Sequence, residues 1–427
     1  MPLAKPSKLG LPAADRPVLD EAGAPKPPEP APAPLVPGSV TAKALLRAWG
    51  GRSGEVTAVD SPPGAGKTTL AVTVAAHLVV RARARVVVAT PTRAQAVGVC
   101  WRLASQIPAS QVHCRISQIP AADLPRGVKD GSLLPDKDGW VQVRTLASLG
   151  ASPTDADLLI VDEAYQATFD DVISAADGAD RLLLVGDPGQ IGPVITFATG
   201  DWDRLAHRPH RRAPEGFSGA ERHHLPSSRR LGPASVEVVA PFYRFGFGSD
   251  APDRHVEVAG RRLGEIETLG VPGAAAPESV ECCGPVAERA WQLATGATLV
   301  DGAGSGDGRR PIRPGELAVV VARNAQVSVV TALLAERGVE AVIGTADRLQ
   351  GGEWPVVVAL DPVAGAESLS EHTSSTGRLC VMLSRHTHHL TWVTDPAAEG
   401  RFEGGPNREI RSRLARFNVA TAGTGTR

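Results

Sequence analysis

Residues Ser61 to Thr69 read SPPGAGKTT, and some ninety residues later Leu158 to Gln166 read LLIVDEAYQ. The first stretch is a phosphate loop. Small residues Gly64, Ala65 and Gly66 let backbone N–H groups approach a phosphate closely, Lys67 reaches the β/γ-phosphates, and the Thr68 hydroxyl ligates Mg²⁺ with Thr69 beside it. The second stretch ends an apolar strand with two acids. Asp162 is placed to hold Mg²⁺, and Glu163 to orient and deprotonate an attacking water. One departure is visible: the motif usually opens on glycine, and Ser61 stands there, followed by the stiffening pair Pro62 and Pro63. The two halves together imply an enzyme that binds and hydrolyses ATP with Mg²⁺.

Outward from this pair the chain alternates short apolar runs with helical stretches. A helix is expected over 41–49, then strand EVTAVD (55–60), the phosphate loop and a helix carrying Leu70, Val72, Val74 and Leu78, which is the context the motif requires. RVVVAT (85–90), VQVRT (141–145), LLIVDE (158–163) and RLLLVGD (181–187) follow, then a second series: ELAVVVA (316–322), VEAVIGT (339–345), VVVALD (356–361) and HLTWVT (389–394). Continuous Val/Leu runs of this length fit strands of a parallel sheet buried on both faces. The expected fold class is α/β, with two tandem domains, each a mostly parallel sheet with helices on both faces.

Residues 1–38, including KPPEPAPAPLVPG, are rich in Pro and Ala and read as a disordered tail. The first domain is expected over 39–228, the second over 229–400, and a peripheral polar tail over 401–427. The stretch 246–313 is Gly/Pro/Ala-rich, with one helix expected at 285–294 and otherwise loops plus the first element of the second domain.

The 427 residues carry a formal net charge of −1, so any pull toward nucleic acid must come from local clusters. One such cluster is Arg204, Arg208, Arg211, Arg212, Arg222, Arg229 and Arg230 between the two series, a candidate nucleic-acid path or a solvated loop. The five cysteines show no CxxC spacing and two are adjacent, which suits neither a disulfide framework nor a zinc site and fits a reducing cytoplasm. The histidines at 207, 210, 223, 224, 386, 388 and 389 lack a matching cysteine or acid pattern, so a metal site is not expected there. No apolar leader and no run of eighteen uncharged apolar residues are present, so neither secretion nor membrane spanning is expected.

Further segments fall in a definite order: VVVATPTRAQA, VRTLASL, VGDPGQIGPV, LPSSRRLGP with a following FY, ELAVVVARNAQV, TADRLQGGEWPVVV and GRLCVMLSRHTH. With the two ATP motifs, that order resembles superfamily 1 helicases, especially the branch holding the RecD-like enzymes and the nonsense-mediated-decay helicase, over residues 55–395 or so. The resemblance implies two RecA-like domains with ATP in the cleft between them. It implies Gln190 at the γ-phosphate and Arg230 and Arg385 as arginines reaching across the cleft, with Arg229 a rival to Arg230. It puts Gln350, Gly351 and Glu353 at the nucleotide, and Pro91, Thr92, Thr145, Ser148 and Thr345 on the backbone of single-stranded nucleic acid, DNA favoured over RNA. Trp354 stacks on a base or packs under its loop, the latter favoured.

The family's adenine-reading glutamine upstream of the phosphate loop has no counterpart, since the first glutamine is Gln95. About fifty residues separate VVVATPT from VRTLASL, which leaves little room for an inserted accessory domain and favours translocation over strand separation. The implied function is an ATP-dependent helicase or translocase moving 5′ to 3′ along single-stranded DNA or RNA; the alternative keeps the ATPase as a nucleic-acid-bound switch that remodels or recruits protein complexes without unwinding duplex.

Overall fold

A computed structural model describes residues 30–136, 139–195, 199–205, 208–271, 276–302, 308–397 and 407–418. Its strands are β1 (Val56–Asp60), β2 (Arg85–Thr90), β3 (Val112–Arg115), β4 (Lys129–Asp130), β5 (Trp140–Thr145), β6 (Leu158–Asp162), β7 (Leu182–Gly186) and β8 (Glu221–His224) in a first sheet, ordered β4-β3-β5-β2-β6-β7-β1-β8. Every pairing in it is parallel. The two-residue period of a strand divides each apolar run between two cores. Leu158 and Ile160 face the core under helices Val40–Gly50, Lys67–Ala82 and Arg93–Ala104, while Leu159 and Val161 face the one under helices Leu146–Ala151 and Phe169–Ala176.

The chain then crosses over. β9 (Ser227–Ser228) pairs with β10 (Gly248–Ser249), around helix Pro233–Val239. Beyond lie β11 (Arg254–Val258), β12 (Arg261–Arg262), β13 (Ile266–Gly270), β14 (Ala297–Asp301), β15 (Arg309–Pro311), β16 (Leu317–Val321), β17 (Val342–Thr345), β18 (Trp354–Leu360) and β19 (His386–Thr394). The second large sheet is parallel throughout, in the order β13-β19-β18-β16-β17. It too is covered twice. Val319, Val321, Val356 and Val358 meet helices Val280–Gly296 and Asn324–Glu336, while Ala318, Val320, Val357 and the fully buried Trp392 meet helices Pro233–Val239, Thr376–Leu383 and Arg408–Leu414. The expected fold class is the one observed: α/β, two parallel sheets in tandem, helices on both faces of each.

Three expectations need correction. The stretch 246–313 holds the first strand of the second large sheet, β13, but is not otherwise mainly loop: β11, β12, β14 and β15 form an antiparallel sheet. The strands of that sheet are joined by antiparallel ladders, lay only Val256, Ala297 and Leu299 fully into the second core, and carry surface pairs such as Arg309–Glu257 and Arg262–Asp253, so they lack an apolar run to read. The helix there begins at Val280, capped by the Ser279 hydroxyl, with Pro285 inside it rather than at its start.

The C-terminal stretch is not merely peripheral. Ile410 and Leu414 are buried, the Leu414 carbonyl accepts from Thr268 Oγ1 at 2.9 Å, and Arg411 pairs with the fully buried Asp361. Within the expected N-terminal tail, residues 1–29 lie outside the described residues. Residues 30–38 lie on the first domain, where Ala33 bonds through its N–H to Gln106 and through its carbonyl to the His77 ring.

All five cysteines are free and buried: Cys100 and Cys114 in the first core, Cys282 and Cys283 in the second, and Cys380 on helix Thr376–Leu383 facing the junction of the two halves. No helix among the described residues is long and apolar enough to cross a membrane.

Candidate nucleotide site in the cleft between the sheets

Parallel register collects the first half's polar residues on one sheet edge. Asp60 lies opposite Gly186, and Asp162 opposite Val185, so the loops after β1, β6 and β7 leave the sheet side by side. This is the carboxyl edge, where sheets of this class bind ligands. The Ser61 N–H continues the ladder to the Gly186 carbonyl at 2.9 Å, and Ser61 is fully buried, so serine in place of the usual glycine costs the loop no anchor. Gly64 and Gly66 have φ of +71° and +90°, which glycine adopts without strain, and helix Lys67–Ala82 starts at once, its first N–H groups aimed out of the loop.

Thr68 Oγ1 donates to Asp162 Oδ2 at 2.7 Å, and Lys67 Nζ lies 3.1 Å from Glu163 Oε1. Glu163 itself sits at φ +60°, a left-handed conformation rare for a side chain of its size, and its N–H donates back to Asp162 Oδ1. Burial works against the Lys67 charge, but Glu163, Asp187 and Asp162 outweigh it and hold its pKa above the ordinary lysine value. Asp162 is pushed up to about 6 by burial and the neighbouring Glu163 charge, against the pull of Lys67 and Thr68. These residues fit a nucleotide with its cation: a glycine cradle, an ammonium, and a hydroxyl–carboxylate pair already in contact.

After β7, Asp187 Oδ2 accepts from Gln190 Nε2 at 2.6 Å, while its Oδ1 accepts from the Gly189 N–H and from Tyr243 Oη. Gln190 is buried, and its Oε1 has no hydrogen-bond partner among the described residues. Burial raises the Asp187 pKa, partly offset by Lys67 and Tyr243.

The second half closes the other side. Ser228 Oγ donates to the Pro63 carbonyl at 2.6 Å and the Arg229 N–H to the Gly64 carbonyl, so the crossing chain lies directly on the phosphate loop. A Cβ at Gly64 would come within 2.2 Å of Arg230 Cβ; only glycine fits. Arg230 bonds Glu353 through Nε and Nη2 and the Ser384 carbonyl through Nη1. The exposed Arg229 places its Nη1 3.9 Å from where a Gly66 Cβ would stand. Arg385, 1% exposed, bonds Ser384 Oγ and the Gly352 carbonyl, and burial together with Arg230 lowers its pKa to about 10. Gln350 Nε2 reaches the Ile191 carbonyl at 3.5 Å, and Gly351 turns the chain at φ +86°. Trp354 packs: its ring lies 2.3 Å from where a Gly352 Cβ would be, against the core beneath.

The proposed nucleic-acid contacts lie at the carboxyl ends of β2, β5 and β17. Their hydroxyls are engaged as helix caps. Thr92, after Pro91, forms a capping box with Gln95, Thr145 accepts from the Ser148 N–H, and Thr345 accepts from the Arg348 N–H. Ser148 Oγ also accepts from the buried Arg144. The arginine cluster is partly spent internally. Arg212 stacks 5.1 Å over Tyr165 and pairs with Glu215, while Arg222 lies 3.6 Å from Asp60. Tyr243, in the FY pair, and Cys380, in GRLCVMLSRHTH, are site neighbours to which the sequence assigns no role, because their partners are remote in the chain.

Residues 42–212 match the AAA domain family. No curated protein matches the chain. Among solved structures, S. cerevisiae Dbp5 bound to RNA and ADP BeF3 is similar at 12% identity and TM-score 0.49, over 90% of each chain. The arterivirus nonstructural protein 10 helicase with DNA is similar at 17% identity and TM-score 0.47, over 85% of this chain and 66% of that one. The PRRSV helicase is similar at 18% and 0.43, over 84% and 54%. The chain thus spans between about half and two thirds of those viral proteins.

Proposed function

We propose that this chain is an ATP-hydrolysing nucleic-acid translocase of superfamily 1, in the RecD and nonsense-decay branch, built from domains at 39–228 and 229–400. The observation that carries it is the convergence of Lys67, Thr68, Asp162, Glu163 and Gln190 from one sheet edge with Arg230, Glu353 and Arg385 from the other half, around a single glycine cradle. Neither half holds the set alone.

In this reading Gly64–Thr69 wrap the phosphates, and Lys67 exchanges Glu163 for a phosphate oxygen, which leaves that carboxylate to take a proton from the attacking water. Thr68 and Asp162 would hold Mg²⁺, which when bound neutralises phosphate charge. Arg385 and Arg230 meet charge that develops on the terminal phosphate, Arg230 by leaving Glu353, which then faces the sugar. Arginines supplied across the cleft make hydrolysis depend on closure of the two halves, and that dependence turns nucleotide state into displacement along a strand. The ends of β2, β5 and β17 supply the track-facing Pro91, Thr92, Thr145, Ser148 and Thr345. The track is a single strand, DNA ahead of RNA.

The test is ATP hydrolysis with and without single-stranded DNA and RNA, with Glu163→Gln as the blank. Strong stimulation by one polymer, lost in the variant, is expected and names the track. Unchanged hydrolysis by the wild type overturns the translocase and favours the protein-remodelling ATPase.

A further inference from the structure

Tyr243 closes the FY pair that follows LPSSRRLGP and has been given no role of its own, yet it stands where three parts of the molecule meet. It follows the short turn Ala240–Phe242 on the crossing chain and is buried. Its Oη donates to Asp187 Oδ1 at 2.8 Å, and Asp187 in turn holds the Gln190 amide through its other oxygen. The same Oη lies 3.4 Å from Cys380 Sγ, on the helix that runs into Ser384 and Arg385. The ring is pressed against the turn it serves, because a Cβ at Gly189 would lie 2.6 Å from Tyr243 Cζ and Oη. The helix touches that loop independently: a Cβ at Gly377 would come within 2.9 Å of the Gln190 carbonyl.

We infer that Tyr243 is a positioning residue that couples the two walls of the cleft, fixing the Asp187–Gln190 loop of the first half to the helix that leads into Arg385 in the second. The inference rests on the proposed ATPase reading and adds a member to its machinery. A buried carboxylate left with one donor fewer lets Gln190 swing, and the loop no longer moves with the arginine helix. Since Gln190 and Arg385 are assigned to the terminal phosphate as it leaves, the loss belongs to the chemical step and not to nucleotide affinity.

The experiment uses the full chain and compares wild type, Tyr243→Phe, Gln190→Ala and the double variant, with kcat and KM for ATP measured with and without the stimulating strand. Tyr243→Phe keeps the ring and removes only the hydroxyl. Expected are a fall in kcat of about tenfold or more, KM within about twofold, and a double variant no slower than Gln190→Ala alone, because both substitutions disable one unit. A wild-type kcat in Tyr243→Phe, or losses that multiply in the double variant, overturns the inference. Should Tyr243→Phe fail to fold, the near-isosteric Asp187→Asn tests the same bond from the other side, with a wild-type kcat as the contrary result. Wild type that hydrolyses ATP but ignores both polymers sinks the translocase reading and leaves the Tyr243 comparison intact, since that is read on kcat alone.

Discussion

The two halves contain the same strand-to-helix unit and use it differently. After β1 the chain spends six residues, two of them left-handed glycines, before helix Lys67–Ala82 begins. After β16 it turns through Ala322 and Arg323 straight into helix Asn324–Glu336. Both strands are central and buried, and both helices pack on the sheet they leave. The difference lies wholly in the connection: the long one leaves room for a cradle, while the short one seals it and gives its first turn to a capping box formed with Gln326. Scaffold and chemistry are thus separable, and the second half contributes side chains, chiefly Arg230 and Arg385, to a site whose floor belongs to the first.

The comparison can be broken first at the arginine wall. Arg385→Ala is expected to lower kcat by roughly 10³ to 10⁵, the contribution of an arginine that meets a transferring phosphoryl group, with nucleotide binding retained in a fluorescence titration. On the floor, Glu163→Gln is expected to lose on the order of 10² to 10⁴ in kcat, also with nucleotide binding retained. If either variant hydrolyses ATP like the wild type, the division of labour between the halves is wrong.

A glycine outside both connections, Gly338 just past helix Asn324–Glu336, serves as the control for the cradle glycine. Gly64 and Gly338 both have positive φ, but an alanine Cβ at Gly64 meets Arg230 whereas one at Gly338 meets nothing within 4 Å. Each change carries the backbone cost of about 1–2 kcal/mol. Only Gly64→Ala is expected to add a further thermal-midpoint loss and to abolish ATPase, and equal losses in the two variants would contradict the close fit of the crossing chain on the phosphate loop.

The smallest effect lies in the second sheet. His389 is fully buried, its Nδ1 against the Gly264 carbonyl and its Nε2 against Thr391 Oγ1, and burial lowers its pKa from 6.5 to about 3. The unfolded chain therefore binds the extra proton. Stability from this group is complete above about 6.5 and drains as pH falls toward 3, by on the order of 1.4 kcal/mol per pH unit. Urea unfolding at pH 7 and pH 5 should show the loss, roughly 2 kcal/mol from this residue, and His389→Gln should flatten it; an unchanged slope in the variant assigns the acid sensitivity elsewhere.

Much of this was legible in the residues. The Val/Leu runs gave every strand of the two large sheets except β3 and the edge strands β4, β8 and β13, which are short or polar, because a parallel strand buried on both faces favours a continuous apolar run. The phosphate loop and the Asp162–Glu163 pair were legible because their chemistry admits few residue types. What stayed hidden depends on partners remote in sequence. Glu353 is 123 residues from Arg230 and Tyr243 is 56 from Asp187, so no local pattern announces either bond. The antiparallel sheet at 254–311 was hidden because its strands bury at most two apolar residues each and carry arginines and glutamates on the outer face. The arginines at 212 and 222 read as part of a nucleic-acid path or a solvated loop, and their contacts with Tyr165, Glu215 and Asp60 are not visible in the local sequence.

The placement of the cysteines gives the molecule a built-in chronometer of its own opening. Two thiols lie in each half's interior and a fifth, Cys380, lies at the seam. A buried thiol reacts with an alkylating reagent only when its surroundings part. The order in which the five are modified therefore reads out which layer loosens first: labelling at Cys380 ahead of the other four marks separation of intact halves, and simultaneous labelling marks collapse of the whole chain as one cooperative body.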